Sequence, residues 1–262
     1  VKISIVTISY NQAPFLEQAI RSIVDQDYNG LEYIVVDPGS TDGSREIIKR
    51  HASRIASTVL EPDRGPADGL NKGFAQATGD VFGFINADDA LLPGALRKVA
   101  EYFRANPQVD IACGRGYTID GEGRPLRRIV PTRLSPRLYA YGAVNFFQQG
   151  MFFRRSAYRK TRGFNVDNRS CWDSELALDM LLNGSRVGML HEELALFRIH
   201  DASISGSGRL LEIYRRDCAR QFKKVMGREM NGLDHVRAKA YLLEKWLTHP
   251  GVALQGALRR LG

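Results

Sequence analysis

Apolar positions in the first hundred residues follow two alternating rhythms. Ile3–Ile8 is an apolar-rich run, the pattern of a strand covered on both faces. Leu16, Ala19, Ile20, Ile23 and Val24 then recur at helical spacing, with Pro14 near the helix start. Leu31–Val36 predicts a second strand, Ser44–Arg50 a helix, residues 58–60 a short strand, 66–77 a helix and 81–85 a fourth strand. A strand–helix alternation of this kind predicts an α/β fold with a mostly parallel sheet flanked by helices, Rossmann-like in its first half.

Farther along, the pattern predicts a helix over 93–106, a strand over 110–115, a hairpin turn at Asp120-Gly121-Glu122-Gly123, and a strand carrying Phe152-Phe153. An amphipathic helix over 173–182 and two short apolar runs, 187–190 and 194–199, follow. From about Gly208 the chain reads as helical and basic, a C-terminal extension broken by Pro250-Gly251.

Ligands of such sheets bind beyond the carboxyl ends of the strands. Three polar clusters sit there: Ser9-Tyr10-Asn11, Asp37 to Ser40, and Asn86-Ala87-Asp88-Asp89. Adjacent carboxylates at a strand end suit a hard divalent cation and a diphosphate, or else a solvated turn. Asp37 can accept from a base N–H or a ribose hydroxyl, or belong to a plain βα turn. Between residues 61 and 73, Arg64 or Lys72 can meet phosphate and Asp68 can bond a ribose; a surface loop is the alternative.

Composition narrows the class. The 262 residues are 44% hydrophobic and 25% charged, ordinary for a globular protein, and no run approaches the roughly 18–20 apolar residues of a membrane span. Residues 1–9 read as a strand rather than a secretion signal. Three scattered cysteines without a CxxC pair predict reduced thiols, a cytoplasmic setting and no zinc site. The net charge of +8 favours an anionic partner. Without a nucleic-acid-binding motif, nucleic acid is not expected. No G-x-G-x-x-G follows the first strand, which argues against a dinucleotide-dependent dehydrogenase.

Several motifs occur in order: Ser9-Tyr10-Asn11, Ala19-Ile20-Arg21-Ser22-Ile23, Val35-Val36-Asp37-Pro38-Gly39-Ser40-Thr41-Asp42-Gly43-Ser44, Asn71-Lys72-Gly73, Ala77-Thr78-Gly79-Asp80 and Asn86-Ala87-Asp88-Asp89. As a set, over about residues 3–100, they resemble the family 2 glycosyltransferases, whose fold is GT-A. Gln148-Gln149-Gly150 with Phe152-Phe153-Arg154 resembles a subgroup that builds bacterial surface polysaccharides.

The resemblance implies an inverting transfer of a sugar from a nucleoside-diphosphate sugar, UDP-sugars favoured, to a hydroxyl of a saccharide or lipid-linked saccharide. It implies that Tyr10 stacks on the base and that Asp37 bonds base or ribose. Ser9, Asp63, Asp68, Lys72, Asn86 and Asp88 complete the expected donor site. Asp89, Asp88 and His200 are the expected ligands of Mn²⁺ or Mg²⁺, Asp89 foremost. Gly163-Phe164 and Trp172-Asp173-Ser174-Glu175-Leu176 resemble the acceptor-side segment, which makes Asp173 the general base and Glu175 its fallback. Asn86, Pro38 and Trp172 depart from the family pattern, which often has Asp, Asp and Glu there.

The expected organisation is a glycosyltransferase domain over 1–207, with a donor half (1–106) and an acceptor half (107–207), followed by the basic helical extension 208–262. Trp246, Leu247, Val252, Leu254, Leu258 and Leu261, with Arg259 and Arg260, suit a helix at the inner face of the cytoplasmic membrane, or one packed on its own domain or a partner subunit. A catalytically inactive nucleotide-sugar-binding or membrane-scaffolding protein on the same fold is the competing function.

Overall fold

A computed structural model of the chain describes residues 1–201 and 210–248. Strand β1 (Ile3–Ile8) lies between two parallel neighbours, β2 (Leu31–Val36) and β4 (Val81–Asn86), and β3 (Ser57–Val59) lies outside β2. The register pairs Ile8 with Val36 on one side and with Asn86 on the other. Three strands therefore end level, and their polar loops lie side by side.

Beyond β4 the sheet turns mixed. β8 (Met151–Arg154) runs antiparallel to β4 and to β6 (Ile111–Ile119); β6 pairs parallel with β9 (Val187–Arg198), and β5 (Ala90–Leu91) closes that edge antiparallel to β9. β7 (Pro125–Ile129) forms the predicted hairpin with β6.

The period-two alternation of the central strands sends successive residues to opposite faces. Ile3, Ile5, Tyr33 and Val35 pack beneath α1 (Ala13–Val24) and α4 (Ala95–Ala105). Val6, Ile34 and Val36 pack beneath α3 (Pro66–Gln76) and α7 (Trp172–Leu182). Burial on both faces explains the near-continuous apolar runs. Helix α3 approaches β1 so closely that a Cβ on Gly73 would lie 2.5 Å from Val6 Cγ1. Shorter helices α2 (Ser44–Arg50), α5 (Pro136–Ala140) and α6 (Arg155–Tyr158) complete this part.

The two apolar runs predicted at 187–190 and 194–199 form one strand, β9. Its register against β6 shifts on either side of Arg115, where exposed His191 and Glu192 interrupt the apolar pattern. The irregularity in the pairing broke the periodicity, not the strand. β5 is too short for any periodicity to reveal.

Helices α8 (Leu211–Met226) and α9 (Gly232–Thr248) pack on the domain. Phe222 is buried against Tyr141, Tyr141 donates to Asp234 at 2.9 Å, and Arg220 reaches Glu175 at 2.8 Å. Leu233, Val236, Leu243 and Leu247 of α9 remain exposed. The expected interfacial residues from Val252 to Leu261, Pro250-Gly251, and the boundary at 207/208 lie outside the described residues. Among those described, no helix is long and apolar enough to cross a membrane.

Candidate active site

A cleft of about 740 Å³ opens over the carboxyl ends of β1 and β4. Ser9, Tyr10, Asp63, Asn86, Asp88, Trp172 and Asp173 line it, so residues separated by up to 164 positions meet in one space.

On the donor side, Asn11 takes a left-handed conformation (φ 52°), which Asn tolerates better than most residues. Its N–H donates to Ser40 Oγ (2.8 Å) and its Oδ1 accepts from the Thr41 N–H (2.9 Å). This ties the end of β1 to the end of β2 and leaves Tyr10, 61% exposed, on the rim of the cleft. Ser9 is buried, and its Oγ has no protein partner.

Asp37 is fully buried and does not line the cleft; neighbouring Pro38 does. Asp37 Oδ1 accepts from the Ser40 N–H (2.8 Å), the Gly39 N–H (3.1 Å) and Arg45 Nε (3.2 Å), while Oδ2 has no protein partner. Asp37 thus holds its own turn with one oxygen and keeps one buried acceptor in reserve. Asp63 lines the cleft and accepts from the Gly65 N–H (2.8 Å); burial raises its pKa.

Asp68 and Lys72 stand outside the cleft wall. Asp68 accepts from the Arg64 N–H (3.0 Å), and Lys72 Nζ lies 3.8 Å from Asp68 and 3.4 Å from Glu61. The two side chains pair with each other along α3. Asn71 from the same motif is a clamp. Its amide exchanges two 2.8 Å hydrogen bonds with the backbone of Phe164, fixing the loop that leads to α7.

The two adjacent carboxylates part ways. Asp89 is 2% exposed and turned inward. Its Oδ1 accepts from the Arg198 N–H (2.9 Å), and its Oδ2 accepts from Gln149 Nε2 (2.8 Å) and Asn86 Nδ2 (3.0 Å). Burial and the neighbouring Asp88 charge raise its pKa well above the usual range. With both oxygens engaged by protein donors, Asp89 braces the turn in this structure. Asp88 faces the cleft, and its Oδ2 lies 3.2 Å from His200 Nε2.

Arg198 locks this arrangement from behind. It is 2% exposed, donates to Asp88 O (2.9 Å), Asp120 O (3.0 Å) and Gln18 Oε1 (2.6 Å), and lies over the Phe15 ring. Two residues on, His200 also packs on Phe15.

Among the described residues no three His, Cys, Asp or Glu side chains converge as a metal site. The pair Asp88 and His200 nonetheless suits a divalent cation in its donor chemistry: a carboxylate oxygen and an imidazole nitrogen lie 3.2 Å apart, and Mg²⁺ commonly takes few protein ligands. Asn86 Oδ1, buried beside them and without a protein partner, is a further unclaimed acceptor.

On the acceptor side, Trp172 and Asp173 open α7. Burial pushes the Asp173 carboxyl pKa up to about 6, outweighing the hydrogen bond that the Ser174 N–H donates to Oδ1 (2.7 Å). Trp172 is 8% exposed, and its Nε1 has no protein partner. Glu175, the fallback base, lies away from the cleft. Arg220, Asn168 (2.6 Å) and Asn165 (3.1 Å) all donate to it and hold its pKa below the usual carboxylate value. It is a structural anchor between α7 and α8.

Phe146, Phe147 and Gln148 also face the cleft, and Arg198 organises it, yet none had an expected role. The 141–150 stretch has little regular structure, so periodicity carried no signal there.

Residues 4–162 match the model of glycosyl transferase family 2. The chain belongs to that family. This glycosyltransferase is 30% identical to an uncharacterized glycosyltransferase, alr2836, of Nostoc over 212 residues, covering 77% of the chain and 66% of that protein. It is also 30% identical to TuaG of Bacillus subtilis, named a putative teichuronic acid biosynthesis glycosyltransferase, covering 78% of the chain and 82% of TuaG. In structure it resembles residues 1–349 of Staphylococcus aureus TarS in complex with UDP-GlcNAc, with TM-score 0.70 at 17% identity over 95% of this chain and 72% of that one. It also resembles the mannosyltransferase PcManGT of Pyrobaculum calidifontis in complex with GDP-Man and Mn²⁺, with TM-score 0.66 at 21% identity over 99% and 80%. The likeness in structure bears out the GT-A fold.

Proposed function

We propose that this enzyme moves a sugar, with inversion, from a nucleoside-diphosphate sugar to a hydroxyl of a saccharide or lipid-linked saccharide in bacterial polysaccharide or glycolipid synthesis. The carrying observation is the shared cleft: Tyr10, Ser9 and Asp88 on one wall and Asp173 on the other. UDP-sugars are the favoured donors, since TarS holds UDP-GlcNAc, while the GDP-Man complex makes GDP-sugars the comparison set. TuaG's part in teichuronic acid synthesis supports the saccharide acceptor.

Tyr10 stacks on the base, Ser9 Oγ meets a base or ribose donor, and Asp37 holds the turn behind Pro38 that shapes the base site. Asp88 and His200 would hold a divalent cation, Mn²⁺ or Mg²⁺. Such a cation, when bound, neutralises charge on the leaving diphosphate. Asp173 accepts the proton of the acceptor hydroxyl as that oxygen bonds to the anomeric carbon and the bond to the diphosphate breaks. A pKa near 6 leaves Asp173 mostly ionised at neutral pH yet basic enough to help. A single displacement inverts the anomeric centre. Trp172 and Phe146 offer aromatic faces for the acceptor.

The test is a panel of UDP-, GDP- and other nucleotide sugars scored by released nucleoside diphosphate, with and without Mn²⁺. Metal-dependent release from one donor class supports the reading. Neither binding nor turnover of any donor, with a range of saccharide acceptors, would overturn it.

A further inference from the structure

Two thiols outside the proposed chemistry flank the seam between the start of α7 and α8. Cys171 is the residue immediately before Trp172 and Asp173, and Cys218 projects from α8. The segment before α7 crosses α8 at the turn that carries Cys218. The contact is fixed on both sides: Ser170 Oγ donates to Asp217 Oδ2 (2.6 Å), and Gln221 Nε2 donates to Cys171 Sγ (3.3 Å). Cys171 is 7% exposed, whereas Cys218 is half-buried and open to a small oxidant.

We propose that Cys171 and Cys218 form a reversible disulfide that ties α8 to the first turn of α7 and misplaces Asp173. A disulfide requires sulfurs at ~2.05 Å, closer than any non-bonded contact, so the two thiols must draw together. That closure falls on the backbone that carries the proposed base.

Cys218 is the attacking thiol. The neighbouring Cys171 thiol draws its pKa down to about 7, which favours the nucleophilic thiolate. Against a peroxide, the thiolate sulfur takes one oxygen, the O–O bond breaks and hydroxide leaves, taking up a proton to become water. The Cys171 sulfur then displaces the oxygen of the sulfenic acid as a second water. Two thiols are oxidised and one peroxide is reduced, and a dithiol reverses the reaction. The third cysteine, Cys113, is an internal control: it is buried, and burial pushes its thiol up to about 12.

The effect on turnover rests on Asp173 as the base, but bond formation can be read without any substrate. The full-length protein is treated with hydrogen peroxide, alkylated under denaturing conditions and weighed intact, then peptide-mapped. The expected result is one alkylatable thiol, Cys113, and a 171–218 linked peptide that dithiothreitol removes. C171S should instead leave a sulfenic acid on Cys218 that dimedone traps, and C218S should keep both remaining thiols reduced. Three alkylatable thiols after oxidation, or a bridge through Cys113 or between chains, would overturn the proposal. In the donor assay, oxidised wild type should lose about tenfold or more in kcat. C218S should lose nothing, and dithiothreitol should restore the wild type. A complete bridge with unchanged kcat would overturn the coupling to Asp173 while leaving the donor site untouched.

Discussion

The wall of the cleft formed by β1, β2 and β4 and the wall formed by α7 hold their groups by different means. The first is local and backbone-built: three parallel strands end in register, and their loops exchange hydrogen bonds with one another. The second is assembled at long range. Asn71 of α3 clamps the loop before α7, Glu175 anchors α7 to α8 through Arg220, and Asp217 holds Ser170. The donor wall should therefore tolerate change at its rim, and the acceptor wall should feel changes made far from the cleft.

The sharpest test of that contrast is Asp173→Asn. Loss of a general base should lower kcat by roughly 10²–10⁴-fold while donor affinity stays unchanged. Undiminished transfer would remove Asp173 from the chemistry. Its raised pKa gives a second signature. A carboxyl with a folded pKa near 6 and an ordinary unfolded value near 3.8 binds its proton more tightly when folded. Stability is therefore lost as pH rises through that window. Asp173→Asn should thus be more stable than wild type at pH 8, by about 1–3 kcal/mol, in chemical denaturation. Wild-type kcat/KM should fall as pH drops below about 6, because the base must be ionised.

Next comes the pair at the end of β4. Asp88→Asn should fold normally and bind Mn²⁺-dependent donor roughly a hundredfold more weakly by calorimetry. Asp89→Asn should instead lose about 2–3 kcal/mol of stability, since an amide N–H would face buried donors. Reversal of the two phenotypes would return the metal to Asp89.

Glu175→Gln probes the acceptor wall from behind. It should cost about 2–3 kcal/mol at neutral pH by breaking the anchor to Arg220. Because the folded Glu175 pKa is depressed, the stability it supplies is present above the unfolded value and fades as pH falls below about 4.5. An unchanged denaturation midpoint would show that α8 does not brace α7. The smallest effect is expected at the donor rim. Tyr10→Ala should weaken donor binding about tenfold with unchanged stability, and Tyr10→Phe should behave as wild type.

Much of this was legible in the amino-acid order. The apolar alternation of residues 3–86 depends on burial of both sheet faces, a local demand that leaves a local record, and the strand-end motifs lie within it. What escaped was non-local. Asp88 and Asp89 are neighbours of one chemical type, and only Arg198 and Gln149, 109 and 60 residues away, decide which turns inward. The pairing of Lys72 with Asp68 along α3 is likewise set by the fold. The sequence by itself determined the α/β alternation, the sheet edge where the cleft opens and the carboxylates available there. Only the tertiary structure assigned those carboxylates their separate duties, because burial and hydrogen-bond saturation belong to the packed surroundings of a side chain and not to its place in the chain.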